Sequence, residues 1–383
     1  MALHPDHLEP TNTALEARLS AIDIVSYGKT RNHLNGLVTQ LSPYITHGFI
    51  SIPELFTRLP TLQLADKLAF EFGWREFFHH VWSREGGSIL SDMRAGLPGV
   101  RYADPLPDDI REGRTGLAPI DRAIHQLYTT GYLHNHARMW LASYVVHLRK
   151  VRWRSGADWM YAHLLDGDLA SNHLSWQWVA ATFSSKPYLF NAENVARYAP
   201  AAWHCDGSAL DISYEALEEI ARGNTPLDSA PSLLGIAEPE LLSAPSSQIP
   251  QPIPKSERIR LVHPWMLTDL PYDGLRVGVI HLPSHAKFRW SGLRWRFVMD
   301  RMAAITDALF IGDLNELNQM LSETPHIEST ATLNPGYREL LPVLCTQLYD
   351  APRRFANPVK TCRSFSAFWA QSADQQSQRG WHR

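Results

Sequence analysis

The sequence predicts a mainly helical domain followed by a smaller α/β domain, and three observations carry that prediction. From about residue 11 to 222, apolar residues recur at helical spacing between breaks marked by Gly and Pro. Pro226 to Pro254 then holds seven prolines among Ser and Ala, the composition of a linker. Beyond it, short apolar runs alternate with helical patterns, as in a small parallel-sheet domain. The expected division is therefore 1–225 helical, 226–256 linker and 257–383 α/β.

Thr11 to Ile24 reads as a helix capped at Thr11 or Asn12. Ser42-Pro43-Tyr44 places Pro in a first helical turn that Gly48 ends. Pro53 to Leu59 is a short helix. Leu64 to Val81 carries Leu68, Phe70, Phe72, Trp74, Phe77 and Phe78 together with Glu71, Arg75 and Glu76. A Gly/Pro-rich loop from Gly86 to Gly116 precedes helices near 119–129, 135–149, 156–165 and 169–182. In the last domain Ile259–Val262, Val277–His281 and Ala308–Ile311 read as strands. Trp295–Ile305 and a segment from Asn315 read as helices.

Charged residues make up 20% and hydrophobic ones 44% of the 383 residues, with 13 Trp, which is a globular composition. The formal net charge of −3 advertises no global affinity for nucleic acid, so DNA contact would need a local patch. Cys205, Cys345 and Cys362 lack the spacing of a zinc or iron–sulfur site, and the histidines show no metal-binding motif, so no metal is expected. Scattered thiols and the lack of a signal-like start suit the cytoplasm. No apolar run is long enough to predict a membrane span. The last domain has no GxGxxG or Walker loop, so no nucleotide is assigned to it.

The chemistry concentrates between Gly131 and Trp178. Asp168, Asn172 and Trp176 fall on one helix face at i, i+4 and i+8. Asp166 and Asp168 sit where the chain turns into that helix, in position to cap it and to feel its N-terminal dipole. Asn135 and Arg138 share a face of the helix before, and an Arg138–Asp166 pair would fix both groups. Each residue alone is explained by capping or core packing. Together they suit a flat, hydrogen-bonding ring system such as a flavin, since buried polarity on this scale needs partners.

These residues also carry a resemblance. Gly113-Arg114-Thr115-Gly116, Thr130-Gly131-Tyr132-Leu133-His134-Asn135, Arg138-Met139, Asp166-Gly167-Asp168, Asn172 and Trp176-Gln177-Trp178 follow, in order, the pattern of the photolyase/cryptochrome flavin-binding domain. Leu41-Ser42-Pro43-Tyr44, Gly48, Glu71 and Trp74-Arg75-Glu76-Phe77 extend the match, which runs from about Tyr27 to Phe190. The resemblance implies a bent FAD. Tyr27, Thr39 and Ser42, with the backbone of Gln40 and Leu41, would hold its phosphates near a helix start. Arg75 would lie near the phosphates and ribitol, Arg138 and Asp166 beside the ring, Asp168 at its polar edge and Asn172 toward N5. Glu71, Trp74, Asn135, Met139 and Trp178 would surround a flipped-out pyrimidine dimer. Trp176 and Trp153 match the first two members of the family's tryptophan relay.

The sequence also departs from the family. The distal tryptophan has no counterpart: its region reads Gly99-Val100-Arg101-Tyr102, leaving Tyr102 or Trp159 as substitutes. Leu68 and His136 replace a family Trp and Arg, and Ala181 to Lys186 replaces a Thr-Gly-Thr-Asp segment. Family members carry an α/β antenna domain of about 200 residues before this region, whereas here an α/β segment follows it, with no motif for an antenna pigment. The resemblance implies light-driven electron-transfer repair of cyclobutane pyrimidine dimers in single- or double-stranded DNA. Its competitors are a cryptochrome-like photoreceptor that signals to a protein partner through the last domain, and a light-independent flavin redox enzyme. Arg149 to Arg154 lies at a helix end, where cations are favoured, and Lys287 to Arg296 looks like a nucleic-acid or partner surface; each in isolation reads as a solvated helix face.

Overall fold

The computed structural model describes residues 8–227, 232, 234–245 and 253–378, so parts of the expected linker and both chain ends lie outside the described residues. Its helices are Asn12–Ser20 (α1), Ile24–Thr30 (α2), Ser42–Thr46 (α3), Ile52–Arg58 (α4), Lys67–Glu85 (α5) and Asp108–Arg111 (α6). Next come Ala118–Thr130 (α7), Asn135–Ser143 (α8), Trp153–His163 (α9), Leu169–Val179 (α10), Ala192–Tyr198 (α11) and Tyr214–Arg222 (α12). The strands are Leu241–Leu242 (β1), Arg258–Val262 (β2), Leu275–His281 (β3), Trp290–Ser291 (β4), Ala308–Gly312 (β5), His326–Thr330 (β6) and Gln347–Tyr349 (β7). Among and after them lie Leu282–Lys287 (α13), Gly292–Ile305 (α14), Leu314–Met320 (α15), Tyr337–Leu344 (α16) and Phe365–Gln378 (α17). No helix among the described residues is long and apolar enough to cross a membrane.

The chain forms two compact units. One comprises Ile22–Val38 and Glu85–Pro239; the other comprises Met1–Ala21, Thr39–Arg84 and Glu240–Arg383. This division differs from the expected 1–225, 226–256 and 257–383, because α5 is tied to the C-terminal segment. The buried Glu76 carboxylate accepts the backbone N–H groups of Arg354 (2.7 Å) and Phe355 (3.0 Å). His80 Nε2 accepts the Cys362 N–H at 2.9 Å, so the ring proton resides on Nδ1, which donates to Asn357 Oδ1 at 2.6 Å. The stretch expected as a linker is likewise divided. Leu227 and Ile236 donate to the Leu148 and Glu112 carbonyls of the first unit. Leu241–Leu242 pairs with Trp290–Ser291 in the second.

In the helical unit, local signals set the helix ends. α7 stops at Gly131, whose φ of 67° closes the last turn, and an added Cβ there would lie 2.6 Å from Leu165 Cγ. α8 widens into a single π turn at Tyr144–Leu148. Its core gathers Trp140, Trp153, Trp176 and Phe190 with the apolar faces of α7 to α10.

In the second unit, five parallel strands run in the order β5-β3-β2-β6-β7, with Leu261 opposite Val277 and Ile259 opposite Ile327. The strand order reverses beside β2, as in doubly wound sheets. The expected parallel sheet is thus present, with β6, β7, α13, α16 and α17 added to the elements read from sequence. Past the end of β2, His263, Trp265, His285, Trp290 and Tyr337 pack against one another. Burial holds His263 near about 4 and His285 near about 3, so both are neutral members of an aromatic cluster.

The two basic–aromatic stretches are divided: Arg152, Lys287, Arg289 and Arg296 are exposed, as a solvated face requires, whereas the residues between them turn inward. Trp290, Arg294 and Trp295 are fully buried, with the Arg294 guanidinium 4.0 Å over the Trp290 ring. Arg149 forms a bidentate pair with Asp109, and Arg152 and Arg154 pair with Asp104 and Asp158. The Lys150 ammonium donates to the carbonyls of Ile220 (2.5 Å) and Ala221 (2.9 Å), and burial lowers its pKa to about 8. A run of like charges was legible in the sequence, but the partner of each cation was not.

Candidate functional site

The helical unit brings together much of the expected flavin set. Leu165 N–H donates to the Gly131 carbonyl at 2.8 Å, which holds the start of α8 close to the turn that carries Asp166. Arg138 Nη2 then reaches both oxygens of Asp166, at 3.0 and 2.8 Å, while its Nε donates to the Leu133 carbonyl at 2.9 Å. The carboxylate is buried and the guanidinium is partly open, an arrangement that satisfies the acid and leaves one side of the cation accessible.

Asp168 is the cap of α10: its Oδ1 accepts the Ser171 N–H at 2.8 Å. One turn on, Asn172 Nδ2 donates to the Ala157 carbonyl of α9 at 2.8 Å. That bond orients the amide, whose Nδ2 also lies 3.5 Å from His173 Nδ1, and leaves its oxygen for a ligand. A further turn on, the Trp176 ring lies on Gly156, where a Cβ would stand 2.4 Å from the indole. Only glycine permits this approach. Two residues later the helix has turned, so Trp178 is 38% exposed while Trp176 is 2% exposed. The sequence placed both tryptophans in one motif, and the structure separates an inner one from an outer one.

Asn135 is exposed at the start of α8, and its Nδ2 meets Met139 Sδ at 3.6 Å, so these two expected substrate residues are neighbours. His134 caps the helix by accepting the His136 N–H through Nδ1. Burial lowers both histidines to about 4, with His136 and Arg138 adding to the effect on His134, and Arg31 and His33 adding to that on His136. Both are neutral at pH 7. Tyr27 lies half-buried on α2 of the same unit. Trp153 opens α9 and is buried, with its indole N–H on the Asp92 carboxylate.

The other expected residues belong to the second unit. Thr39 Oγ1 accepts the Leu41 N–H at 3.4 Å, and Gln40 takes the left-handed conformation at φ 50°. Gln40 Oε1 accepts from Arg18. Leu41 is fully buried and Ser42 is the first residue of α3, followed by Pro43. On α5, Glu71, Trp74 and Arg75 are half-buried. Trp74 has a partner that the sequence did not suggest: Phe365 stacks on it at 4.2 Å between centroids and 9° between planes. The signal for this contact lay 291 positions away, in a C-terminal apolar run unconnected to any motif.

Residues 68–202 match the family described as the FAD-binding domain of DNA photolyase. The chain is 36% identical over 146 residues to the deoxyribodipyrimidine photo-lyase of Streptomyces griseus, a match covering 38% of this chain and 32% of that protein. It is 32% identical over 170 residues to the chloroplastic/mitochondrial cryptochrome DASH of Oryza sativa subsp. japonica, covering 40% and 28% of the two chains. A solved cryptochrome of Synechocystis sp. PCC6803 aligns with a TM-score of 0.45 at 24% identity, over 52% of this chain and 44% of that one. The chain spans about a third of the length of the curated relatives it matches. The matched segment is thus a helical flavin-binding domain with FAD as its family cofactor. Over that segment the chain is similar to photolyases and cryptochromes.

Proposed function

We propose that the protein binds FAD and uses blue light to split cyclobutane pyrimidine dimers in DNA. The observation that carries this reading is the Arg138–Asp166 pair together with Asp168 and Asn172, one turn apart at the start of α10, all within the matched segment. This donor and acceptor set fits the polar edge of an isoalloxazine. When bound, FAD supplies the light-absorbing one-electron donor that ring splitting requires.

The residues of the chain orient, bind and exclude water. Arg138 holds Asp166 and lends positive charge to the region where a reduced ring carries negative charge. With FAD bound, Asp168 would accept from the ring's imide N–H, and Asn172 would present its amide to N5. Within the helical unit, Tyr27 would contact the phosphates. Toward the lesion, Asn135 reads a base edge, Met139 packs beside it and Trp178 offers an exposed ring face. From α5, Glu71 exchanges hydrogen bonds with the lesion carbonyls, and Trp74, stabilised on one face by Phe365, stacks on a base. Trp176 and Trp153 would serve as electron donors to the bound flavin.

The test is anaerobic illumination of purified protein, following the flavin spectrum with and without an oligonucleotide that carries a thymine dimer. Restored thymines under blue light, on single or double strands, are the expected result. Bound FAD without light-dependent repair on either substrate overturns the repair reading. The inner position of Trp176 above Gly156, one turn from Trp153, also suits a photoreceptor. In that case light changes the protease sensitivity of the chain, through a partner-facing last domain, and Trp176→Phe weakens the change.

A further inference from the structure

We propose that Asp92 is the proton acceptor for Trp153 when Trp153 is oxidised, so that the electron relay ends at this pair. The proposal rests on the reading of Trp176 and Trp153 as the relay and assigns it an exit the sequence did not reveal. Trp153 is 4% exposed, and its Nε1–H donates to Asp92 Oδ1 at 2.5 Å. Asp92 itself is exposed. The pair therefore joins a buried indole to a carboxylate in contact with water.

The loop that presents Asp92 is fixed on both sides. Before it, the Leu90 carbonyl accepts from Arg154 Nη1 at 2.7 Å, and the Ile89 carbonyl accepts from Gln177 Nε2 at 2.8 Å. After it, the Met93 N–H donates to Gln177 Oε1 at 2.9 Å. Arg154 follows Trp153 in α9, and Gln177 follows Trp176 in α10. The helices that carry the two tryptophans thus also hold the loop that carries the acid. Gly156, on which the Trp176 ring lies, is three residues from Trp153, close to one helical turn of about 5.4 Å. A hole passing from Trp176 to Trp153 moves toward Asp92.

Simple charge arguments give this geometry a purpose. Two indoles that are 2% and 4% exposed sit in apolar packing, where an unpaired positive charge is costly. A neutral indole is a very weak acid, whereas its one-electron-oxidised form is acidic enough to protonate a carboxylate. With photoexcited oxidised flavin bound, Trp176 would give it one electron and Trp153 would give one to Trp176. The Trp153 Nε1–H bond then breaks and its proton moves to Asp92 Oδ1, leaving a neutral tryptophanyl radical and a protonated acid. No positive charge stays on either indole, the electron's charge resides on the flavin, and return of the electron now needs the proton back. An external thiolate later supplies one electron to the radical, and Asp92 returns the proton. This exit compensates for the missing distal tryptophan. Tyr102 is the competing terminus: it packs on the same core, and burial together with the Asp92 charge raises its phenol pKa above the ordinary value.

The experiment is flash photolysis of the FAD-loaded protein in H2O and D2O, comparing the unaltered chain with Asp92→Asn. Asparagine keeps an acceptor oxygen for the indole and removes the base. In the unaltered chain the expected signal is a neutral tryptophanyl radical whose appearance slows in D2O. In Asp92→Asn the radical remains in its cationic form and its lifetime falls by about tenfold or more. In flavin-free protein, the Trp153 indole N–H resonance, identified by its loss in Trp153→Phe, is shifted far downfield and moves back in Asp92→Ala. An unchanged lifetime and isotope effect in Asp92→Asn overturn the proposal. A tyrosyl signal lost in Tyr102→Phe overturns it too. If Trp176→Phe and Trp153→Phe leave flavin photoreduction intact, the relay reading itself falls, a result distinct from either of these.

Discussion

On α10, polar side chains fasten neighbouring helices and keep capacity in reserve; on α5, similar side chains are used up by the chain itself. Asp168 caps its own helix, Gln177 ties down Ile89 and Met93, and Asn172 holds Ala157 with one of its two N–H groups. The bulkiest residue of α10's inner face, Trp176, meets bare glycine backbone. On α5, Glu76 and His80 are committed to backbone and side chains between Arg354 and Cys362. Phe365 covers one face of Trp74, and Trp369 lies so close to Gly73 that a Cβ there would be 2.3 Å from its ring. Ligand chemistry and stability are therefore separable on α10 and coupled on α5.

The largest expected effect tests that coupling. Phe365 is 5% exposed and touches Phe70, Trp74, Phe77 and Trp369. Phe365→Ala should cost about 4 kcal/mol, as large-to-small changes at buried aromatic sites do. It should also weaken binding of a dimer-containing oligonucleotide, because the Trp74 ring loses the support that fixes its plane. Chemical denaturation and titration with the oligonucleotide measure the two effects. A loss of stability with unchanged binding would separate the functions that α5 is argued to combine.

Asp166→Ala should cost about 3 kcal/mol, because it leaves Arg138 without its carboxylate in a half-buried position. Retained FAD, measured by absorbance after gel filtration, should fall with it. This pair also shows what the sequence made legible. The i, i+3 spacing of Asn135 and Arg138 and the capping position of Asp166 and Asp168 are local patterns, and local patterns survive folding. The same holds for the strands β2, β3 and β5. Contacts between distant segments left no such trace. Asp92 is a lone acid in a Gly/Pro-rich loop, 61 positions from the indole it meets. The 354–369 segment has no pattern that names α5 as its partner. Arg294 read as a surface cation because charge is visible in sequence, whereas the indole beneath it is not.

A pH dependence should mark α5. Burial raises the Glu76 pKa from 4.5 to about 7, outweighing the two backbone N–H groups that favour the anion. The group therefore contributes stability that is fully present below pH 4.5 and is lost as pH rises through about 7. The loss approaches about 3 kcal/mol for a shift of that size. Glu76→Gln removes the titration, so its stability, followed by urea unfolding at pH 5 and 8, should decline less over that interval than that of the unaltered chain. Equal slopes would mean that the two backbone bonds stabilise the anion as well as water does.

The smallest effect separates the two roles assigned to Asp168. As a cap it accepts the Ser171 N–H, and asparagine caps about as well as aspartate, while alanine typically loses about 1 kcal/mol. As a ligand it accepts from an imide N–H, for which the carboxylate charge matters. In flavin-free protein, Asp168→Asn should stay within about 0.5 kcal/mol of the unaltered chain, and Asp168→Ala should fall by about 1. Both should bind FAD more weakly, alanine more so, because it removes the acceptor as well as the charge. Calorimetric unfolding of the flavin-free variants and fluorescence titration with FAD read the two roles independently. If Asp168→Asn binds FAD as tightly as the unaltered chain, the carboxylate is only a cap. The polar edge of the ring would then lie elsewhere on the helical unit.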